Sequence, residues 1–315
     1  TDERGWHETY SPDAGEGRYL YSPDFPRSLN NTSLTDFSLT TVDMLDREIG
    51  SSASHPFPSF VGYTIKDMFF FRDRLCFMTE DSVVMSRTSD YFNFFPKSAR
   101  AVFDDDPVDV AAGYRDAPAF KHALPILDTV WITGATGLYR LGSGEDFLTP
   151  STVQLTYAGK NPGEDQCEPA LYGNDIIISE KTESHSQLRQ LKLTPDGRNI
   201  GSREAITGHV SHLIEGTVAN IAAFPSTGML IVTTVENPEY LYIYQTQETS
   251  QGTIQAAWHL WTTGNHNSGG QAGLAKIREI LSINEETIYF LVSRDDFMYL
   301  EKMDITSKPN LNEDF

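Results

Sequence analysis

The sequence predicts an all-β fold assembled from repeated antiparallel units, and three observations predict it. Short apolar runs of four to six residues are separated by polar turns, which is typical of strands in a meander. The same apolar-run and turn pattern returns several times along the chain. The 23 Gly and 16 Pro residues are spread between the runs as turn punctuation.

The repeating unit is a hydrophobic strand, a polar turn and an alternating strand. Its first copy is a three-run meander at 68–72, 75–78 and 83–85, with turns at Asp73 and at Glu80-Asp81. Four later copies pair the runs 128–133 with 138–141, 174–179 with 188–191, 228–233 with 240–244, and 287–292 with 297–300. Their turns are Gly134–Gly137, Glu183–Ser186, Asn237-Pro238 and Asp295-Asp296.

The matching positions of the five copies are evenly separated. They are Leu75, Val130, Ile176, Leu230 and Ile288, at intervals of 55, 46, 54 and 58 residues. A period of this length with several strands per copy is typical of β-propeller blades, and each blade must stack on its neighbours to bury its apolar face. A β-sandwich is the alternative, but it lacks so regular a long period.

The domain organisation follows from the same pattern. Residues 1–57 are predicted to be an irregular N-terminal segment, because X-Pro pairs such as Ser11-Pro12 and Phe25-Pro26 disfavour helix. Only Thr35–Val42 alternates weakly, as one strand would. Residues 58–315 are predicted to be propeller blades. Thr1 stands where a Met would open a complete protein, and we expect this to be an incomplete part of a longer one.

Charge and cysteine usage limit the function classes. The net charge of −20 repels phosphate backbones, so sequence-specific nucleic-acid binding is not expected, although DNA would slide past such a surface without sticking. Cys76 and Cys167 form no metal-type or disulfide spacing, and Cys76 lies in an apolar run typical of a buried free thiol. No stretch reaches the roughly 20 apolar residues of a membrane helix.

A search for chemistry predicts no catalytic, cofactor-binding or metal-ligating residue, and no enzyme. The nucleophile-elbow, P-loop, dinucleotide and zinc-protease motifs are all missing. The pairs His209/His212 and His259/His266 lack companion ligands at metal spacing. The cluster Asp104-Asp105-Asp106 with Asp109 offers oxygens for a cation, but without a calcium-loop glycine we favour a solvated loop or an intersubunit contact.

Three further segments allow either a functional interpretation or one in which the segment has no functional role. Ser11–Gly15 matches the S-x-D-x-G turn of sialidase-type propellers, but it occurs once and outside the blades, so we treat it as chance. The series Tyr91–Phe95 is either a sugar-stacking platform or a packing strip, and we favour packing. Asn265–Gly270 is a mobile loop by composition, either a gate or a long surface turn, and we favour the turn.

A longer set of strings resembles a known family. They are 58–62, 69–75, 82–88, 91–95 and 104–110, with weaker matches at 5–9, at 208–210 and at Trp258 and Trp261. Their order resembles the tail nozzle proteins, also called tail tubular protein B, of short-tailed bacteriophages. The chain departs from that family at Cys76, where a small residue is usual, which affects packing and not function.

The resemblance implies a structural virion protein of the distal tail, made in the host cytoplasm, of which this chain is an internal portion. It implies a hexameric ring that extends the DNA ejection channel and helps to keep it closed until infection. The implied partners are the tail adaptor (tail tubular protein A), tail fibres and the phage DNA in transit, without cofactors. The alternative is a glycan-binding or glycan-degrading β-propeller of a phage tail.

Overall fold

The computed structural model describes residues 26–31, 33, 36–113, 118–135, 137–144, 147–160, 167–249, 252–263, 275–284, 287–294 and 297–305. These residues form strands and two single-turn 3₁₀ helices, Gly208–Val210 and Pro225–Thr227, with no α-helix among them. No described helix is long and apolar enough to cross a membrane. The chain divides into two compact units, Thr1–Asn161 and Pro162–Phe315, which are described separately.

The first unit contains one hairpin and two four-stranded antiparallel sheets. The hairpin pairs β1 (Arg27–Asn31) with β2 (Phe37–Thr41). Sheet A consists of β3 (Asp67–Phe71), β4 (Arg74–Met78), β5 (Ser82–Met85) and β6 (Val108–Ala111) in that spatial order. Sheet B consists of β7 (Phe120–Ile126), β8 (Thr129–Gly134), β9 (Leu138–Gly142) and β10 (Gln154–Gly159), also in chain order.

The inner strands of sheet A, β4 and β5, are buried on both faces. One face packs against sheet B through a core that includes Phe71, Met78 and Tyr139. The other face packs against Phe60 and the aromatic pair Phe94 and Phe95, which lie in the connections before and after the sheet's inner strands. Because both faces are covered, β4 and β5 read as continuous apolar runs instead of alternating ones.

The second unit contains three antiparallel sheets. Sheet C consists of β11 (Ala170–Tyr172), β12 (Asp175–Thr182), β13 (His185–Leu193) and β14 (Ile200–Ala205), and the two-residue β15 (Ile214–Glu215) also pairs with β13. Sheet D consists of β16 (Val218–Phe224), β17 (Met229–Thr234), β18 (Tyr240–Thr249) and β19 (Gly252–Thr262). Sheet E consists of β20 (Lys276–Asn284), β21 (Thr287–Arg294) and β22 (Phe297–Asp304).

Sheet D lies between sheets C and E. Leu230, Val232 and Tyr242 pack against sheet C, and Ile231 and Ile243 pack against sheet E. Neighbouring residues on a strand point to opposite faces, so the single run 229–234 supplies both cores. Burial of these apolar side chains is the main force that holds the sheets together.

The repeat predicted from the sequence is confirmed in detail. Each of the five matching residues lies on the second strand of its sheet, and every paired run lies on the third strand. They are Leu75 on β4, Val130 on β8, Ile176 on β12, Leu230 on β17 and Ile288 on β21. The prediction of an all-β fold built from repeated antiparallel meander blades is therefore confirmed, and within each unit the sheets stack face to face.

Some details of the prediction were incomplete. The predicted run 68–72 is confirmed as β3, but the other first strands and all fourth strands of the sheets were not identified. In the segment 1–57, the weak strand at Thr35–Val42 is confirmed as β2, but its partner β1 was missed. The predicted turn at Glu183–Ser186 is shorter than expected, because β13 already begins at His185. The turn at Asp295-Asp296 lies outside the described residues, and the boundary between 57 and 58 stays a prediction.

Candidate functional site

The best-defined polar structure of the first unit is the connection between β5 and β6, residues 86–107, which we call the β5–β6 loop. It is held from inside by Arg74 on β4, whose side chain is only 1 % exposed. The guanidinium donates hydrogen bonds to the carbonyl oxygens of Ser86 (2.7 Å), Asp106 (2.6 Å) and Asp104 (2.9 Å). Burial lowers the pKa of Arg74, and nearby carboxylates partly oppose that shift. One rigid cation thus joins both ends of the loop to the sheet.

The aspartate cluster is part of the same structure. Asp106 is 1 % exposed, and its two carboxylate oxygens accept hydrogen bonds from the backbone amides of Lys97 (2.9 Å) and Phe103 (2.8 Å). Asp105 pairs with the Lys97 ammonium group, which lowers the pKa of Asp105. Asp109 accepts hydrogen bonds from the backbone and hydroxyl of Ser59.

The prediction of a solvated loop is therefore wrong for Asp106. Its oxygens are directed inward because the loop places two backbone donors around them, which the sequence could not show. An intersubunit contact through the other acids is not tested by a single chain. Within the described ranges, no group of three or more His, Cys, Asp or Glu side chains is arranged to hold a metal ion.

The loop presents aromatic side chains on both its inner and outer sides. Phe94 and Phe95 are buried, which confirms the packing interpretation for them. Tyr91 and Phe92 are instead 36 % and 43 % exposed, and Tyr91 meets the exposed ring of Phe70 edge-on at 5.3 Å. The series Tyr91–Phe95 is thus divided between the core and the surface.

The β3–β4 turn fixes the orientation of Tyr91. Arg72 and Asp73 both adopt positive φ, 50° and 57°, as a two-residue hairpin turn requires. The Asp73 carboxylate accepts hydrogen bonds from the Tyr91 hydroxyl (2.6 Å) and from the Ser89 hydroxyl, and these bonds lower the pKa of Asp73. The exposed aromatic pair is therefore a rigid surface feature, because backbone and carboxylate restrain it together.

A second buried arginine lies before sheet A. Arg47 is fully buried, and its guanidinium lies over the rings of Phe57 (4.7 Å) and Phe95 (5.3 Å). Within the described part of the chain, none of its three side-chain nitrogens has a hydrogen-bond partner. Its stabilising contacts are therefore cation–π and packing interactions, which are worth about 2 kcal/mol in a desolvated position.

Of the two histidine pairs, the structure describes His209, His212 and His259, and none of these three belongs to a described group of metal-ligating side chains. His209 lies in the 3₁₀ helix, and the ring of His212 packs against that of His185 at 4.9 Å. His259 is an exposed residue of β19, and its proposed companion His266 lies outside the described residues. The segments Ser11–Gly15 and Asn265–Gly270 also fall outside them.

Both cysteines are buried free thiols, as predicted for Cys76. Cys76 is completely buried on β4, and burial raises the pKa of its thiol to about 12. A thiol that stays protonated at neutral pH is a poor nucleophile and a poor metal ligand. Cys76 is therefore a core residue.

Two grooves lie on the described surface of the protein. One, of about 320 Å³, lies on β18 and β19 and is lined by Gln245, Thr246, Gln247, Gln255, Ala257 and His259. The other, of about 300 Å³, lies beside the β5–β6 loop, and its one carboxylate is the inward-facing Asp106. Neither groove contains the carboxylate pair that glycoside hydrolysis requires.

These features define a class: an all-β protein of stacked meander sheets, in which the buried Arg74 and Asp106 hold a loop against its sheet. A family comparison goes further. The family model described as bacteriophage nozzle protein matches residues 1–314. The chain therefore belongs to the bacteriophage nozzle protein family, and it is a structural protein of the virion tail.

A curated relative agrees with the family. The chain is 26 % identical over 265 residues to the tail tubular protein gp12 of Escherichia phage T7. The match covers 84 % of this chain and 33 % of the T7 protein, so the chain spans about a third of that relative's length.

Solved structures give only distant likenesses. The N-terminal domain of Nup159 aligns at 9 % identity with a TM-score of 0.43, over 76 % of this chain and 56 % of that one. Kluyveromyces lactis Hsv2 aligns at 10 % identity with a TM-score of 0.38, over 72 % of this chain and 70 % of that one. At these scores the likeness carries no argument about fold or function.

Proposed function

We propose that this chain is part of a ring-forming subunit of the tail nozzle, which extends the channel for DNA ejection and helps to keep it closed before infection. The observation that carries the proposal is the family match over residues 1–314. The fold supports it, because stacked sheets with cores on both faces resist deformation better than loops do. A conduit wall under load requires such stiffness.

The charge distribution also supports a conduit. The part before Pro162 has 14 Lys and Arg against 23 Asp and Glu, and the remainder has 10 against 21. The excess of acid is therefore −9 and −11 in the two parts, so it is a property of the whole chain and not of one tail. A closed ring multiplies this charge, and a surface of that sign does not retain DNA.

The partners in this proposal are further copies of the subunit in a six-membered ring, the tail adaptor, tail fibres and DNA in transit. The test is electron microscopy of the full-length protein and of virions. We expect a six-fold ring at the distal tail whose lumen continues the channel. A purified protein that stays monomeric and a virion without that ring would contradict the proposal.

The proposal also excludes catalysis, and a direct assay separates it from a glycan-active propeller. The full-length protein is incubated with capsular polysaccharide of the host, and reducing ends are measured. We expect no release above that of heat-denatured protein. Release that depends on native protein would instead support a glycan-degrading tail component.

A further inference from the structure

In the part of the chain that the structure describes, sheet E has three strands, whereas sheets A to D each have at least four. In sheets A to D the third strand is followed by a fourth, after connections of 22, 11, 6 and 2 residues. Each of those fourth strands pairs antiparallel with the third strand of its own sheet. Sheet E ends at β22, whose outer edge pairs with no strand among the described residues.

The side chains of β22 are those of an inner strand. Its sequence begins Phe297-Met298-Tyr299-Leu300, and these residues are 67 %, 54 %, 44 % and 64 % exposed. The third strands of sheets A and D are also apolar at the corresponding positions, Val83–Met85 and Leu241–Ile243. In contrast to β22, these residues are at most 7 % exposed. The same kind of strand is thus covered in those sheets and bare in sheet E.

The fourth strand of sheet C shows one protected outer edge of this fold, whereas β19 of sheet D leaves Leu260 and Trp261 49 % and 46 % exposed. β14 carries Gly, Ser, Arg and Glu, and it is exposed along nearly all of its length. The first four residues of β22 carry no charged side chain, and the first charge in the strand is Glu301. An apolar strand with a row of free amides and carbonyls is a ready acceptor for another strand.

We propose that β22 accepts an antiparallel fourth strand, contributed by the same polypeptide on the C-terminal side of Asp304, which completes sheet E. The occupant follows from the topology, because all four complete sheets take their fourth strand from the chain that directly follows the third. It is also consistent with the relative from phage T7, of which only 33 % is covered by the match. The inference does not depend on the ring proposed above.

The first experiment is site-specific photo-crosslinking in the full-length protein. Leu300 is replaced by p-benzoylphenylalanine, and Leu260 on the outer strand β19, which is 49 % exposed, is replaced in a control. We expect Leu300 to crosslink within the subunit, to a peptide C-terminal to Asp304, and the control to give no such product. A crosslink from position 300 to a second subunit, or none at all, would overturn the proposal.

The second experiment measures amide exchange along Phe297–Asp304 in the same protein. Half of the amides in an edge strand have no ladder partner, and a fourth strand would bond them. We expect those amides to exchange at least about tenfold more slowly than the unpaired amides of β19. Equal exchange on the two strands would show that β22 is a true edge and would overturn the inference.

Discussion

The clearest test of the structure is the replacement of Arg74 by Met. Met preserves much of the aliphatic packing but removes the donors to Ser86, Asp104 and Asp106. Each buried carbonyl that loses its partner costs about 1–3 kcal/mol. Burial lowers the pKa of Arg74, which shows that the fold already bears a cost for desolvating it. We therefore expect the lower part of the combined range, about 3 kcal/mol.

The assay is local amide exchange in the β5–β6 loop, residues 86–107. A loss of about 3 kcal/mol corresponds to exchange that is roughly a hundredfold faster for amides that open with the loop. The matched control is Arg72→Met, two residues earlier, which removes an exposed ion pair with Asp128. That pair is worth about 0–1 kcal/mol, so the control should exchange almost as the native protein does.

The comparison of the two variants shows whether Arg74 holds the β5–β6 loop. If Arg74→Met and Arg72→Met accelerate exchange in the loop equally, Arg74 does not hold the loop, and the buried network described above is not what orders it. Arg74→Lys should fall between the native protein and Arg74→Met, because one ammonium group cannot span three carbonyl oxygens.

Four further predictions follow from single groups and from charge. Cys76 should stay unreactive to thiol reagents until the protein unfolds. Because folding raises the pKa of its thiol to about 12, the native protein should lose its stability advantage over Cys76→Ala as pH rises from about 9 towards 12. Urea midpoints of the two proteins would show this loss. Asp73 has a lowered pKa, so the stabilisation that Asp73→Asn removes should be complete above pH 3.8 and disappear as pH falls below it, measured by amide exchange at Ser89. Arg47→Met should leave the free energy of unfolding unchanged or raise it, because the cost of burying a cation with no hydrogen bond among the described residues offsets its cation–π contacts. A fall of more than about 2 kcal/mol in that free energy, measured by urea titration, would contradict this. Filter binding at low salt should detect no complex with duplex DNA, since the chain carries −20, and saturable binding would refute that expectation.

Local sequence patterns were sufficient to predict the inner strands of the sheets. The strands around Val130 and Leu230 are buried at every position and mostly apolar, and such continuous apolar runs are a strong local signal. The turns between them use residues that tolerate tight backbone geometry. Apart from β3, the outer strands were not predicted. Some of them, such as β14, have a composition that resembles a loop, and pairing with a neighbour makes them strands.

The buried residues of sheet A and the β5–β6 loop also differ in how far the sequence could predict them. The burial of Cys76 could be predicted, because an apolar run around a thiol is a local signal. The inward direction of Asp106 could not be predicted, because it depends on amides at Lys97 and Phe103 and on a guanidinium 32 residues earlier in the chain. The sequence of an aspartate cluster is the same whether water or backbone amides donate hydrogen bonds to its carboxylate oxygens.

The sequence by itself therefore determined the repeat, the second and third strand of every sheet, the acidic character and the family resemblance, since these are properties of neighbouring residues or of composition. Only the tertiary structure decided which aspartate is buried, which aromatic residues of 91–95 face solvent, and that β22 carries an inner strand's side chains at an edge with no partner strand among the described residues. The physical reason is that strand pairing and hydrogen-bond satisfaction join residues far apart in the chain, so their outcome depends on which surfaces meet.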